Sequence, residues 1–171
     1  QVLWVTGLLA SLHAYIDGDL ERAEDIAASA LDIGLSSGQP DAFDLYAGQL
    51  FAIRQAQGRL DEMVALVEET AAANPSLPVY RAALAAAYCS LDRADDAQRV
   101  SASDFADGFA AFPRDSTWLS ALYWYADVAG RLDASGPAAA LVELIAPWRD
   151  LVSNTGITSS GSAASTLGVA L

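Results

Sequence analysis

The chain has 171 residues, enough for one ordinary domain with a real core or a short helical array. Apolar residues make up 53% and the mean hydropathy is +0.26, but much of this is alanine and no apolar run reaches the eighteen residues of a membrane span. The formal charge of −13 comes from 22 acids against nine arginines and no lysine, and those arginines are scattered singly. Phosphate backbones and anionic membranes need clustered cations, so neither is expected as a partner.

In chain order, Val2 to Ile16 is the longest apolar stretch, but Thr6, Ser11 and His13 interrupt it and no basic residue precedes Arg22. It therefore reads as a buried helix rather than a secretory signal, with His13 at the core or its boundary. The first residue is Gln1 rather than methionine and Leu171 ends an apolar run, so both ends read as cuts through something longer.

Four later stretches share one design, an apolar helix, a turn, and a second helix with a small residue at a fixed offset. They are Ala14 to Leu31, Ala52 to Thr70, Ala86 to Val100 and Tyr125 to Ile145, with turns at Gly18, Gly58, Asp92 and Asp133. The turns are spaced by 40, 34 and 41 residues, as in helical-hairpin repeats with insertions between them. Glycine takes the left-handed backbone that ends a helix, and aspartate tolerates it at some cost. Asp19 and Asp61 place negative charge where the second helices open. Ala23, Ala97 and Ala138 follow where the helices approach closely, whereas Met63 breaks the pattern and predicts looser packing.

Between the hairpins, Ser36 to Phe43, Ala73 to Tyr80 and Phe112 to Trp118 read as stops and restarts. Pro78 suits a first helical turn, and Asp115 or Ser116 an N-cap. Val100 to Phe109 is weakly amphipathic, which predicts a helix that is short or broken at Gly108. Residues 153–162 form a Gly/Ser-rich loop, either a flexible connector or a lead into a fifth helix. Leu167, Val169 and Leu171, otherwise exposed, favour the helix. No stretch sustains a period of two, so no sheet is expected. The expected fold is all-α, a tandem helix-turn-helix, right-handed α-solenoid of about four hairpins plus a partial fifth, spanning 1–171 as one domain.

Catalytic chemistry finds little footing. His13 is the only histidine, which removes His-based metal sites and Ser–His or Cys–His pairs from this segment. Without lysine there is no phosphate-loop lysine or Schiff base. Asp17-Gly18-Asp19 resembles the start of a calcium loop, but Arg22 and Ala28 occupy its required glycine and glutamate positions. Cys89 reads as a small buried hydrophobe, and the carboxylates around Asp19 and Asp95 as solvated turns. No catalytic residue, cofactor or metal is expected, and the segment is expected to be no enzyme.

Trp118, Tyr123, Trp124 and Tyr125 crowd one helix and cannot all share one face. They pack between repeats or line a binding surface. Candidate groove contacts are Tyr15, Gln49, Arg54, Gln55, Arg81, Trp118 and Tyr123, in or beside the first helices that line the inner curve of a solenoid. Arg54, Arg81 and Arg114 either meet a carboxylate ligand or neutralise nearby acids, the second being favoured.

The segments GQPDAFDLYAGQLFAIRQAQGRLDEM, NPSLPVYRAALAAAY and FAAFPRDSTWLSAL, in that order, resemble the C-terminal tetratricopeptide-like region of large actinobacterial signalling ATPases. That family joins an ATPase module to an adenylate/guanylate cyclase or a LuxR-type DNA-binding domain. The resemblance runs from about Leu8 to Leu171 and matches recurrent family positions at Gln49, Arg54, Arg81, Arg114, Asp115 and Trp118. It implies a cytoplasmic, non-catalytic regulatory arm that contacts its own parent domains or itself. A sensor binding a peptide or small-molecule effector is the alternative.

Overall fold

The four turn residues singled out above carry the backbone that ends a helix. In the computed structural model, which describes residues 2–170 (side chains to Gly168), Gly18, Gly58, Asp92 and Asp133 have φ of 81°, 71°, 56° and 51°. The N–H of each following residue then reaches back five positions. Asp19 donates to Ala14 O, Arg59 to Arg54 O, Arg93 to Tyr88 O and Ala134 to Ala129 O, all at 2.8–2.9 Å. This closure satisfies carbonyls that a helix end would otherwise orphan. The same bond ends two further helices, from Gln39 to Gly34 O and from Phe109 to Asp104 O.

Among the described residues the chain is all-α apart from one hairpin. The helices are α1 (Val2–Ile16), α2 (Leu20–Ser36), α3 (Ala42–Ala56), α4 (Val64–Ala73), α5 (Pro78–Ser90), α6 (Ala94–Ala106), α7 (Trp118–Arg131), α8 (Ser135–Ile145) and α9 (Ala163–Ala170). No described helix is long and apolar enough to cross a membrane. Two compact units divide the chain: one runs to Arg59 and includes Asn154–Ser159, the other holds Leu60–Ser153 and the residues from Ser160 onward.

In the first unit α2 packs on both α1 and α3, and small residues set how closely. A Cβ on Gly7 would lie 2.9 Å from the Ala30 Cβ, and one on Gly34 would lie 2.7 Å from the Ala42 Cβ and 2.8 Å from Trp4 Nε1. Ala23, Ala27 and Ala30 form the buried stripe of α2. Two apolar clusters follow, one of Trp4, Leu8, Ala30 and Ala42 and one of Ala14, Ala23 and Ile53.

In the second unit α5 lies against α4, α6 and α7. Ala82, Ala85, Ala86 and Ala87 are completely buried on it, which lets the neighbours close in. Leu122, Tyr125, Val128, Leu141 and Ile145 complete this core from α7 and α8.

Several expectations hold in detail. Pro78 opens α5, α6 stops at Ala106 with Gly108 at φ 62°, and a ninth helix follows the Gly/Ser-rich segment. Of the residues that argued for that last helix, the Val169 side chain and Leu171 lie outside the described residues.

Other expectations need correction. A two-stranded sheet is present, β1 (Val152–Asn154) with β2 (Ser159–Ser162). Its strands are too short to show a period of two, and the pairing is set by the turn between them. Gly156 has φ 91°, Asn154 Oδ1 accepts from Gly156 N at 2.6 Å, and Thr155 N donates to Thr158 O at 3.1 Å. His13 is exposed rather than at the core. Thr117 occupies the N-cap of α7 without a side-chain cap bond, while Asp115 accepts from Thr117 N at 2.8 Å one residue-pair earlier. Met63 is buried, and the sequence beyond Gly58 opens as a 3₁₀ turn, Leu60–Glu62, so that α4 starts only after Met63.

Candidate functional site

Three polar constellations lie inside the helix packing, and four of the seven candidate contacts belong to them. In the first unit, Gln49 projects from α3 and is only 3% exposed. Its Nε2 donates to Leu8 O in α1 at 2.8 Å and to Ile157 O at 2.9 Å, the latter at the tip of the hairpin. Those two carbonyls fix the amide orientation, and Oε1 is left buried without a donor from the protein. Beside it is a cavity of about 10 Å³ lined by Ser11, Tyr15, Gln49, Ile53, Ile157 and Thr158. Tyr15 is half-buried there, and burial raises its hydroxyl pKa above the usual phenol value.

One helical turn further along α3, Arg54 meets Glu24 of α2 through both guanidinium nitrogens, Nη2 to Oε1 at 2.6 Å and Nη1 to Oε2. Gln57 completes the cluster, accepting from Arg54 Nη1 at 2.7 Å. The Arg54 hydrogen bond is the chief reason the Glu24 carboxyl is held down at about 2. Glu24 and Gln57 border a solvent-open depression of about 520 Å³ together with Asp19, Glu21 and Arg59.

The third constellation is in the second unit. Asp104 of α6 is 3% exposed and accepts three hydrogen bonds. Arg81 of α5 gives two of them, Nε to Oδ2 at 3.0 Å and Nη2 to Oδ1 at 2.9 Å, and Tyr125 of α7 gives the third at 2.5 Å. Arg81 Nη1 also donates to Pro75 O, which ties down the loop before α5. The rings of Phe105, Phe109 and Phe112 stand 5.5–5.8 Å from the Tyr125 ring and enclose the site. Burial, reinforced by Asp104, pushes the Tyr125 hydroxyl far above its ordinary pKa. A carboxylate so occupied has its lone pairs engaged by internal donors, and its geometry is that of a brace joining three helices.

The remaining candidates are placed apart from these groups. Gln55 is half-buried on α3, and its carbonyl accepts from Gly58 N in the turn. Trp118 is buried, with its ring edge-on to Trp148 at 6.1 Å and the Arg114 guanidinium 4.9 Å from its centroid. Tyr123 is half-buried against Trp124, ring centroids 5.2 Å apart. Three of the four crowded aromatics, Trp118, Trp124 and Tyr125, are thus core residues.

Arg54 and Arg81 neutralise nearby acids, as favoured on sequence grounds, whereas Arg114 lies over the Trp118 ring; nothing in the sequence marks Glu24 and Asp104 as their partners. Glu24 sat in a run read as solvated turn, and Asp104 lay in the segment whose weak amphipathicity had been noted. That lapse was a usable signal, because a carboxylate on the inward side lowers the apolar periodicity. Cys89 is buried, and burial lifts its thiol to about 11. Among the described residues no group of three or more His, Cys, Asp or Glu is placed to hold a metal ion. Compared with protein-family models, curated proteins and solved structures, the chain finds no match in any of the three.

Proposed function

We propose that the chain is a non-catalytic, tetratricopeptide-like scaffold that mediates protein–protein contacts within a larger signalling or transcriptional regulator. In this reading the pairs α1–α2, α3–α4, α5–α6 and α7–α8 are successive repeats of a right-handed α-solenoid, α9 begins a fifth, and the protein works in the cytoplasm. The observation that carries it is the recurrence of one turn. Gly18, Gly58, Asp92 and Asp133 share a left-handed backbone and the same back-bond, and the residue five positions later is buried at Ala23, Met63 and Ala97 and half-buried at Ala138. Repeats of this kind bury faces that no single hairpin can hide, and they serve as binding surfaces. Further support comes from Gln49, Arg54 and Arg81, whose polar groups hold helices together.

The resemblance to the signalling ATPases supplies the context, namely regulation of neighbouring domains or self-association. Light scattering over a concentration series, with a pull-down against the ATPase and output domains of the parent protein, tests it. Association with itself or with a parent domain is expected. A chain that stays monomeric and captures neither removes the scaffold reading. The alternative, a sensor for a peptide or small effector, has one observation in its favour, the cavity at Tyr15 and Gln49.

A further inference from the structure

That cavity is closed by the chain itself. Ile157 and Thr158, at the tip of the β1–β2 hairpin, line it opposite Ser11, Tyr15 and Gln49. The Ile157 side chain packs against the cluster of Trp4, Leu8, Ala30 and Ala42, near enough that a Cβ on Gly48 would lie 3.8 Å from its Cδ1. The tip is therefore seated as a bound peptide would be, with a main-chain carbonyl on a buried amide and an aliphatic side chain in an apolar pocket.

The fit is incomplete in a specific way. Gln49 offers a donor and an acceptor, and only its donor side is matched. The tip is a tight turn that uses its own N–H groups: Thr155 N on Thr158 O, Gly156 N on Asn154 Oδ1 and Thr158 N on Thr155 Oγ1. An extended segment keeps such groups available. Laid along the same path, it can give a carbonyl to Gln49 Nε2 and an N–H to Gln49 Oε1. No charged residue lines the cavity, so the segment is uncharged where it enters.

We propose that the hairpin tip is an internal stand-in for an exchangeable ligand, and that the pocket between α1 and α3 binds an extended, uncharged peptide whose aliphatic side chain replaces Ile157 and whose backbone pairs with both ends of the Gln49 amide. This deepens the alternative reading, a sensor for a peptide, by naming that peptide's chemistry, and rests on it for its purpose.

The test uses the full chain, wild type and Ile157→Ser, with the linear peptide Ser153–Ser160 as probe. Nuclear magnetic resonance follows the Gln49 side-chain amide and the Trp4 indole. The variant is expected to bind the peptide with shifts at both groups. Wild type should bind roughly tenfold more weakly, because a tethered competitor acts at about millimolar effective concentration. Adding Gln49→Leu to the variant should abolish the peptide-induced shift of the Trp4 indole. Absence of shifts in a folded Ile157→Ser chain overturns the proposal, as does equal binding of a control peptide with serine for isoleucine.

Should that variant not fold, relaxation dispersion on wild type decides. Exchange shared by the Ile157 methyl groups and the Gln49 amide, and altered by the peptide, is expected; exchange indifferent to the peptide contradicts it. Failure here in a chain that still captures a parent domain leaves the scaffold reading standing. Peptide binding without any such capture removes only the context.

Discussion

The two units hold their helices together by different means. The first ends its turns with Gly18 and Gly58, brings α1, α2 and α3 close through Gly7, Gly34 and alanine, and carries its ion pair, Arg54 with Glu24, where the glutamate side chain is still 30% exposed. The second ends its turns with Asp92 and Asp133, fills its core with aromatic rings, and buries the Asp104 carboxylate to 4% side-chain exposure. The first unit also buries a polar side chain, Gln49, but a neutral one, and its glutamate stays within reach of water. In the second unit a carboxylate lies inside among the aromatic rings, and its oxygens accept three hydrogen bonds from Arg81 and Tyr125. The two pairs thus differ in which partner is sealed from water, the Arg54 guanidinium at 9% side-chain exposure in the first and the Asp104 carboxylate in the second, and only in the second does the carboxylate also hold a buried tyrosine hydroxyl.

The largest expected effect follows from that contrast. Asp104→Ala leaves the Arg81 guanidinium and the Tyr125 hydroxyl unpaired and should cost about 3–5 kcal/mol in denaturant unfolding. Tyr125→Phe removes one charge-assisted bond and should cost about 1.5–3 kcal/mol. If Asp104→Ala costs no more than a surface substitution, the difference between the units is wrong. Next is Gly34→Ala in the first unit, whose added methyl would meet Ala42 and Trp4 below 3 Å. Over-packing at that contact should cost roughly 1–3 kcal/mol in the same measurement.

Smallest is Glu24→Gln, expected to lower stability by about 1 kcal/mol at neutral pH, since the glutamate is 30% exposed and the glutamine carbonyl still accepts from the buried Arg54. Its pH dependence is more telling. The folded carboxyl is held at about 2 against an ordinary 4.5, so the stabilisation is present above about 4.5 and fades as pH falls toward 2. The substitution should flatten stability in that window and leave it unchanged in shape above.

How much of this was legible beforehand follows from the range of each interaction. Turns are local. Gly18, Gly58, Asp92 and Asp133 were read from a few neighbouring residues, and their backbone angles agree. Pro78 and the stop at Gly108 were legible for the same reason. The hairpin at 152–162 was missed because three- and four-residue strands carry no periodic signal, so an Asn-Thr-Gly-Ile-Thr turn was read only as a loop. Asp104 was missed because its partners lie 23 residues before it and 21 after, a separation across which composition is silent. Gln49 was singled out, but its bond to Ile157 spans 108 positions and no pattern along the chain foreshadows it.

If the four hairpin turns are equivalent copies of one device, exchanging their residues must give effects set by the backbone alone. A Cβ at Gly18 or Gly58 meets nothing within 4 Å, so alanine there reads the backbone alone. Denaturant unfolding of Gly18→Ala and Gly58→Ala should show losses of about 1–2 kcal/mol each. Asp92→Gly and Asp133→Gly should instead gain up to about 0.5 kcal/mol, as the left-handed strain is relieved. Aspartate-to-glycine losses, or alanine tolerated without cost, would contradict the equivalence and with it the repeat architecture we propose.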